Sequence, residues 1–129
     1  MCIRDSFNDG TIVRHNLIVN DGGVARKGTD GKFVIRVSGS ATNTLFFKNT
    51  IIVGADRTDT KIVLHKAWQT WAADTLYHEN TFVNLGQGSR IEIGKSSGNR
   101  FLDNDYFGES VKWMKLPESR PSATGIFAP

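Results

Sequence analysis

One feature constrains this chain more than any other: an asparagine interrupts β-prone sequence four times in the same local frame. The windows Thr11-Ile-Val-Arg-His-Asn16-Leu-Ile-Val-Asn20, Thr44-Leu-Phe-Phe-Lys-Asn49-Thr-Ile-Ile-Val53, Thr75-Leu-Tyr-His-Glu-Asn80-Thr-Phe-Val-Asn84 and Asn99-Arg-Phe-Leu-Asp-Asn104-Asp-Tyr-Phe-Gly108 align without a gap. Three residues before each asparagine stand Val13, Phe46, Tyr77 and Phe101; two residues after it stand Ile18, Ile51, Phe82 and Tyr106. The residue just before it, His15, Lys48, Glu79 or Asp103, is polar throughout. Fixed apolar columns beside a fixed polar column mark stacked units that bury a shared core. The runs are short, β-branched or aromatic, and they alternate, which fits strands and not helices.

The anchors at 16, 49, 80 and 104 are 33, 31 and 24 residues apart. Loops of variable size inserted at one corner of a repeating coil produce such steps. Each step carries a further strand signal: Phe33-Val-Ile-Arg-Val37, Lys61-Ile-Val-Leu64, Arg90-Ile-Glu-Ile93 and Val111-Lys-Trp-Met114. The expected architecture is therefore all-β, a parallel β-helix of about four rungs in which every strand pairs with its equivalent in the next rung. A corner often needs left-handed backbone, which asparagine tolerates. Stacked asparagine amides can also bond from rung to rung and satisfy buried polar groups. Arg100, standing where Ile12, Leu45 and Leu76 stand in the other windows, marks the fourth rung as the one expected to loosen. Outward Arg36 and Glu92 are expected to pair across the sheet as a weak solvated ion pair.

The chain divides into 1–6, 7–116 and 117–129. The first stretch, "MCIRDS", has no partner in the repeat and matches translated adapter sequence, which would make Cys2 an artefact. The second is the β-helix. The third, "PESRPSATGIFAP", reads as an irregular extension. A solenoid needs caps at its ends, and neither flank reads as one, so a fragment is expected whose partner is the remaining rungs of a longer chain. No apolar run is long enough to span a membrane. A net charge of +3 with dispersed lysines and arginines argues against nucleic acid and weakly favours an acidic partner such as a uronic-acid polysaccharide.

Function in a solenoid gathers in long corner loops. The loop from Asn20 to Lys32 offers Asp21, Arg26, Lys27 and Asp30. Its carboxylates suit Ca²⁺ or acid–base work, and Arg26 or Lys27 suits a sugar carboxylate; a plain polar loop is the competing reading. The stretch from Leu64 to Ala73 places His65 and Lys66 after a strand and Trp68 and Trp71 in a loop. Those tryptophans suit stacking on sugar rings, or folding back to cover the coil. "GKSSGN", Gly94 to Asn99, lacks P-loop spacing and reads as a turn.

These residues resemble the right-handed parallel β-helix of the pectate-lyase-like superfamily, and within it a group of bacterial right-handed β-helix proteins. The resemblance rests on Arg14-His-Asn-Leu-Ile-Val-Asn-Asp-Gly22, on Ala41-Thr-Asn-Thr-Leu45 with Asn49-Thr-Ile-Ile-Val53, and on His65-Lys66-Ala-Trp68. It continues in Asn80-Thr-Phe-Val-Asn-Leu-Gly86 and in Gly94-Lys-Ser-Ser-Gly-Asn99 with Asn104-Asp-Tyr-Phe-Gly108. It implies a secreted, extracellular or periplasmic, carbohydrate-active protein: a polysaccharide lyase or glycoside hydrolase, or else a non-catalytic glycan-binding or structural adhesin. Lyases of the chondroitinase B and alginate type carry a lysine in a "KS" turn and an arginine one rung later. Lys95-Ser96 is similar to the first, but "VKWMKL" supplies no arginine, so the pair is not carried over. In a lyase, His65 or Lys66 would be the base, Arg14 or Arg26 would neutralise the uronate carboxyl, and Asp21 would act as acid or metal ligand. Hydrolysis would need two facing carboxylates, for which Asp21 and Asp56 are the candidates.

Overall fold

The computed structural model describes residues 2–4, 9–21 and 31–116. Among these residues the short alternating runs form twelve strands: β1 (Cys2–Arg4), β2 (Ile12–Arg14), β3 (Leu17–Val19), β4 (Phe33–Ser38), β5 (Leu45–Phe47), β6 (Thr50–Val53), β7 (Lys61–Lys66), β8 (Leu76–His78), β9 (Thr81–Asn84), β10 (Arg90–Glu92), β11 (Arg100–Leu102) and β12 (Asp105–Gly108). Each pairs, always in parallel, with the strand three along. The result is three four-stranded sheets ordered β1-β4-β7-β10, β2-β5-β8-β11 and β3-β6-β9-β12. Only a chain that coils repeatedly through the same three directions gives this order, so the all-β, all-parallel arrangement fits a β-helix-like solenoid.

The asparagine register sets the pairing. Val13, Phe46, Tyr77 and Phe101 fall opposite one another, as do Ile18, Ile51, Phe82 and Tyr106, and all are buried. Neighbouring parallel strands lie about 4.7–4.9 Å apart. The rings therefore stack at nearly that spacing, Phe46 on Tyr77 at 4.9 Å and Tyr77 on Phe101 at 4.7 Å, with planes within 11°. Each such pair contributes about 0.5–1.5 kcal/mol beyond its buried area.

The asparagines form the expected ladder. Asn49 Oδ1 accepts the main-chain N–H and the Nδ2 of Asn16; Asn80 Oδ1 does the same for Asn49, and Asn104 Oδ1 for Asn80, all at 2.8–3.1 Å. The left-handed residue at this corner is not the asparagine, however. It is the polar residue before it: His15, Lys48, Glu79 and Asp103 have φ between 50° and 55°. That residue makes the bend and sends its side chain outward, which frees the asparagine to point inward and bond along the axis.

Three further expectations are corrected. Cys2–Arg4 does have a strand partner, pairing with Arg36–Ser38. Val111–Met114 is not a strand but lies within a 3₁₀ segment, Glu109–Lys115. Gly108, at φ 67°, turns the chain off β12 where a Cβ would collide with the Asn84 carbonyl oxygen. Ser110 Oγ then donates to the Phe107 carbonyl (2.6 Å) with the Phe82 carbonyl also within reach (3.0 Å), and Trp113 packs edge-on against Phe82 and Tyr106. Lastly, Arg100 does not loosen the fourth coil. It pairs with Leu76 and is exposed, because its column faces solvent and not the core. No helix among the described residues is long and apolar enough to cross a membrane.

Candidate functional site

The Leu64–Ala73 stretch differs from its reading as a loop. β7 runs on through His65 and Lys66, so strand alternation decides which way each side chain points. His65 is in register with Val37, a core residue, and is only 1% exposed. Its Nε2 lies 2.9 Å from the Tyr77 hydroxyl and its Nδ1 lies 2.8 Å from Ser96 Oγ. Burial lowers its pKa to about 4. A general base needs access to the substrate proton, and an enclosed imidazole with both nitrogens occupied lacks it. His65, the candidate base, thus lies enclosed in the core with both ring nitrogens bonded, and not on an open face. Burial likewise pushes the Tyr77 hydroxyl well above its usual value.

Lys66 ends β7 in a half-buried position. Beyond it the chain makes a tight turn, with Gln69 at φ 68° and the Trp68 N–H donating to the Thr70 carbonyl (2.9 Å). Ser40 Oγ and Thr70 Oγ1 lie 3.1 Å apart, anchoring the turn to the preceding coil. Trp68 stands at its tip, 47% exposed. Trp71 folds back: its ring lies over Gly94 of the next coil, where any Cβ would strike it. Of the two tryptophans, Trp68 thus stays exposed and Trp71 covers the coil.

The remaining candidates lie elsewhere. Arg14 is exposed on the outer face of β2. Asp21 is exposed at a different corner, after β3, next to Asn20, whose Oδ1 accepts the Gly54 N–H at 2.7 Å. Asp56, also exposed, belongs to that same corner. Arg26 and Lys27 fall outside the described residues. Arg14, Asp21 and His65 thus occupy an outer face, a corner and the interior. Among the described residues no group of three or more His, Cys, Asp or Glu side chains is placed to hold a metal ion. Glu92 does not pair with Arg36, which sits two strands away across β7. Glu92 bonds instead to Arg90 and lies 3.6 Å from Lys61; the Arg90 hydrogen bond is the main cause of its lowered carboxyl pKa.

The sequence reading passed over two features. Tyr77 is the one hydroxylated ring in the column Val13, Phe46, Tyr77, Phe101, and it reaches His65. On the outer face, Phe47 stacks on His78 at 5.5 Å, His15 meets Phe47 edge-on, and Lys48 Nζ lies 5.2 Å from the Phe47 ring centre. Lys48 reaches Glu79 at 4.0 Å, and His78 reaches Asp103 at 3.6 Å. The polar column beside the asparagines and the column before it, with Phe47 and His78, therefore share an outward seam of rings and charges. No protein-family model matches this chain, and neither a curated protein nor a solved structure matches it.

Proposed function

We propose that this chain is part of a right-handed parallel β-helix of the pectate-lyase-like kind, acting outside the cytoplasm, that holds an acidic glycan on its outer surface. The reading is of a binding element and not of a cleaving one over the described residues. One observation carries it: the residues suited to elimination chemistry face different sides, with His65 enclosed, while Trp68 stays exposed at a corner beside Lys66. An exposed indole offers a flat apolar face to a sugar ring, and a nearby ammonium attracts a uronate carboxylate. Neither requires a preformed catalytic constellation.

The test is an affinity-electrophoresis screen against alginate, pectate and glycosaminoglycans, run beside an ultraviolet assay for unsaturated products. Retarded migration without new absorbance is expected. Trp68→Ala should reduce retardation about tenfold, in line with the loss of one stacking contact of about 1.4 kcal/mol, and should leave the melting temperature unchanged. Unsaturated product would overturn the non-catalytic reading, and undiminished binding by the variant would overturn the role of Trp68.

A further inference from the structure

The hydrogen bonds around His65 determine their own direction. Ser96 Oγ donates its single proton to the Ala72 carbonyl and accepts from Asn99 Nδ2. The bond between Ser96 and His65 must then be donated by His65 Nδ1–H. That leaves Nε2 bare, and the Tyr77 hydroxyl donates to it. The chain thus runs from Tyr77 through His65 and Ser96 to the Ala72 carbonyl, and every proton has an acceptor. Asn99 Oδ1 extends it by accepting the Thr75 N–H at 3.1 Å. Ser96 and Asn99 belong to the Gly94–Asn99 turn, His65 to β7 and Tyr77 to β8. The chain therefore fastens that turn to two sheets, and Trp71 rests on the same turn at Gly94.

We propose that this Tyr77–His65–Ser96 chain is an acid-sensitive latch: proton uptake at His65 releases the Gly94–Asn99 turn while the asparagine ladder at the other corner stays closed. The chemistry follows from the bond directions. A proton on Nε2 takes the site that Tyr77 donates to, so the tyrosine must reverse and its own proton loses its acceptor. The imidazolium would also sit in an apolar core. Among the described residues nothing that faces it compensates. β4 presents Val37 in register, Tyr77 of β8 is the only titratable group among them bonded to it, and Ser96, Asn99 and the Ala72 carbonyl do not titrate. Lys66 and Glu92 stand at half-buried positions of alternate parity, and Lys95 and Asp74 are exposed. Opening the turn lets water reach the ring and relieves all of this. The ladder, by contrast, is built of amides with no proton to gain.

The magnitude follows from linkage. An imidazole that titrates near 6.5 once hydrated and near 4 when enclosed raises the opening constant of the turn roughly 20-fold between pH 7 and pH 5. The test is native-state amide exchange of the full chain across that range, corrected for intrinsic exchange. The amides bonded in or by the turn, Ser96 to the Ile93 carbonyl, Asp74 to the Ser97 carbonyl and Thr75 to Asn99 Oδ1, should lose about 20-fold in protection, and those of Asn49 and Asn80 should hold theirs. His65→Gln, which cannot take up a proton, should abolish the difference. If His65→Gln does not fold, Tyr77→Phe serves: it empties Nε2 and should shift release to higher pH. Imidazole nitrogen shifts at pH 7 should report the Nδ1–H tautomer. Equal protection at both pH values, loss in step with the ladder, or an Nε2–H tautomer would each overturn the latch.

Discussion

Replacing Asn80 by alanine separates a ladder that supports the coil from a row of surface turns. Asn80 is 1% exposed and bonds in both directions. Its Oδ1 accepts the Asn49 N–H (3.0 Å) and its Nδ2 donates to the Phe46 carbonyl (2.9 Å). Truncation leaves the Asn49 N–H buried without a partner, while the Phe46 carbonyl keeps only its ladder bond to β8. The other ends survive: Asn49 Nδ2 keeps the Val13 carbonyl, and Asn104 Oδ1 keeps the Asn80 N–H. One orphaned buried donor at about 1–3 kcal/mol and a carbonyl that loses one of its two bonds at about 0.5–1.5 kcal/mol predict a loss of about 1.5–4.5 kcal/mol, a large part of the 5–15 kcal/mol that holds a typical domain folded. Asn16 is the internal control. It is exposed; when it is truncated, water reaches the Arg14 carbonyl and Asn49 Oδ1 keeps the Asn16 N–H. Asn16→Ala should therefore lose no more than about 1 kcal/mol. Urea unfolding at pH 7 reads both as midpoint shifts at constant slope, with the Asn80 shift on the order of 1 M or more. Equal losses for the two variants would refute the argument that burial, and not asparagine's turn preference, gives the ladder its value.

Other expectations follow from the same geometry. Trp113→Ala should lower stability by about 3–5 kcal/mol, seen in thermal melts, because the indole covers Phe82 and Tyr106; a loss below about 1 kcal/mol would mean the 3₁₀ segment is not seated. At Glu79, where φ is 53°, glycine should be tolerated within about 1 kcal/mol, whereas valine, branched at Cβ, should be clearly worse; urea midpoints distinguish them. Folded His65 has a pKa below its unfolded value, so its contribution is complete above about pH 6.5 and declines as pH falls toward 4. The full difference is on the order of 3 kcal/mol, and His65→Gln should flatten the urea midpoint against pH over that window. Lys48→Ala should change stability by less than about 1 kcal/mol, since its 4.0 Å pair with Glu79 is exposed.

The repeat was legible because it is carried by sequence spacing alone. Once the asparagines align, the period-2 alternation on either side assigns Val13, Phe46, Tyr77 and Phe101 to the core, and tertiary structure had nothing to add to that column. The direction of His65 was not legible. Val63, Leu64 and His65 follow one another, and adjacent apolar residues hide the parity of a strand; that β7 continues through Lys66 is settled by its pairing with β4. Trp71 was ambiguous for a related reason: its partner Gly94 belongs to the next coil, and no local pattern links them. Val111 and Trp113 alternate like a strand, but the chain had already left the sheet at Gly108, and Trp113 found rings from two different strands to cover.

The sequence by itself determined the all-β coil, the asparagine register and the inward columns, because identical side chains one coil apart must meet when parallel strands stack. Tertiary structure alone decided which residue takes the left-handed bend, which histidine is sealed inside, and which tryptophan stays in water. Those depend on contacts between residues that share no local pattern, set by how far each strand runs before the chain turns.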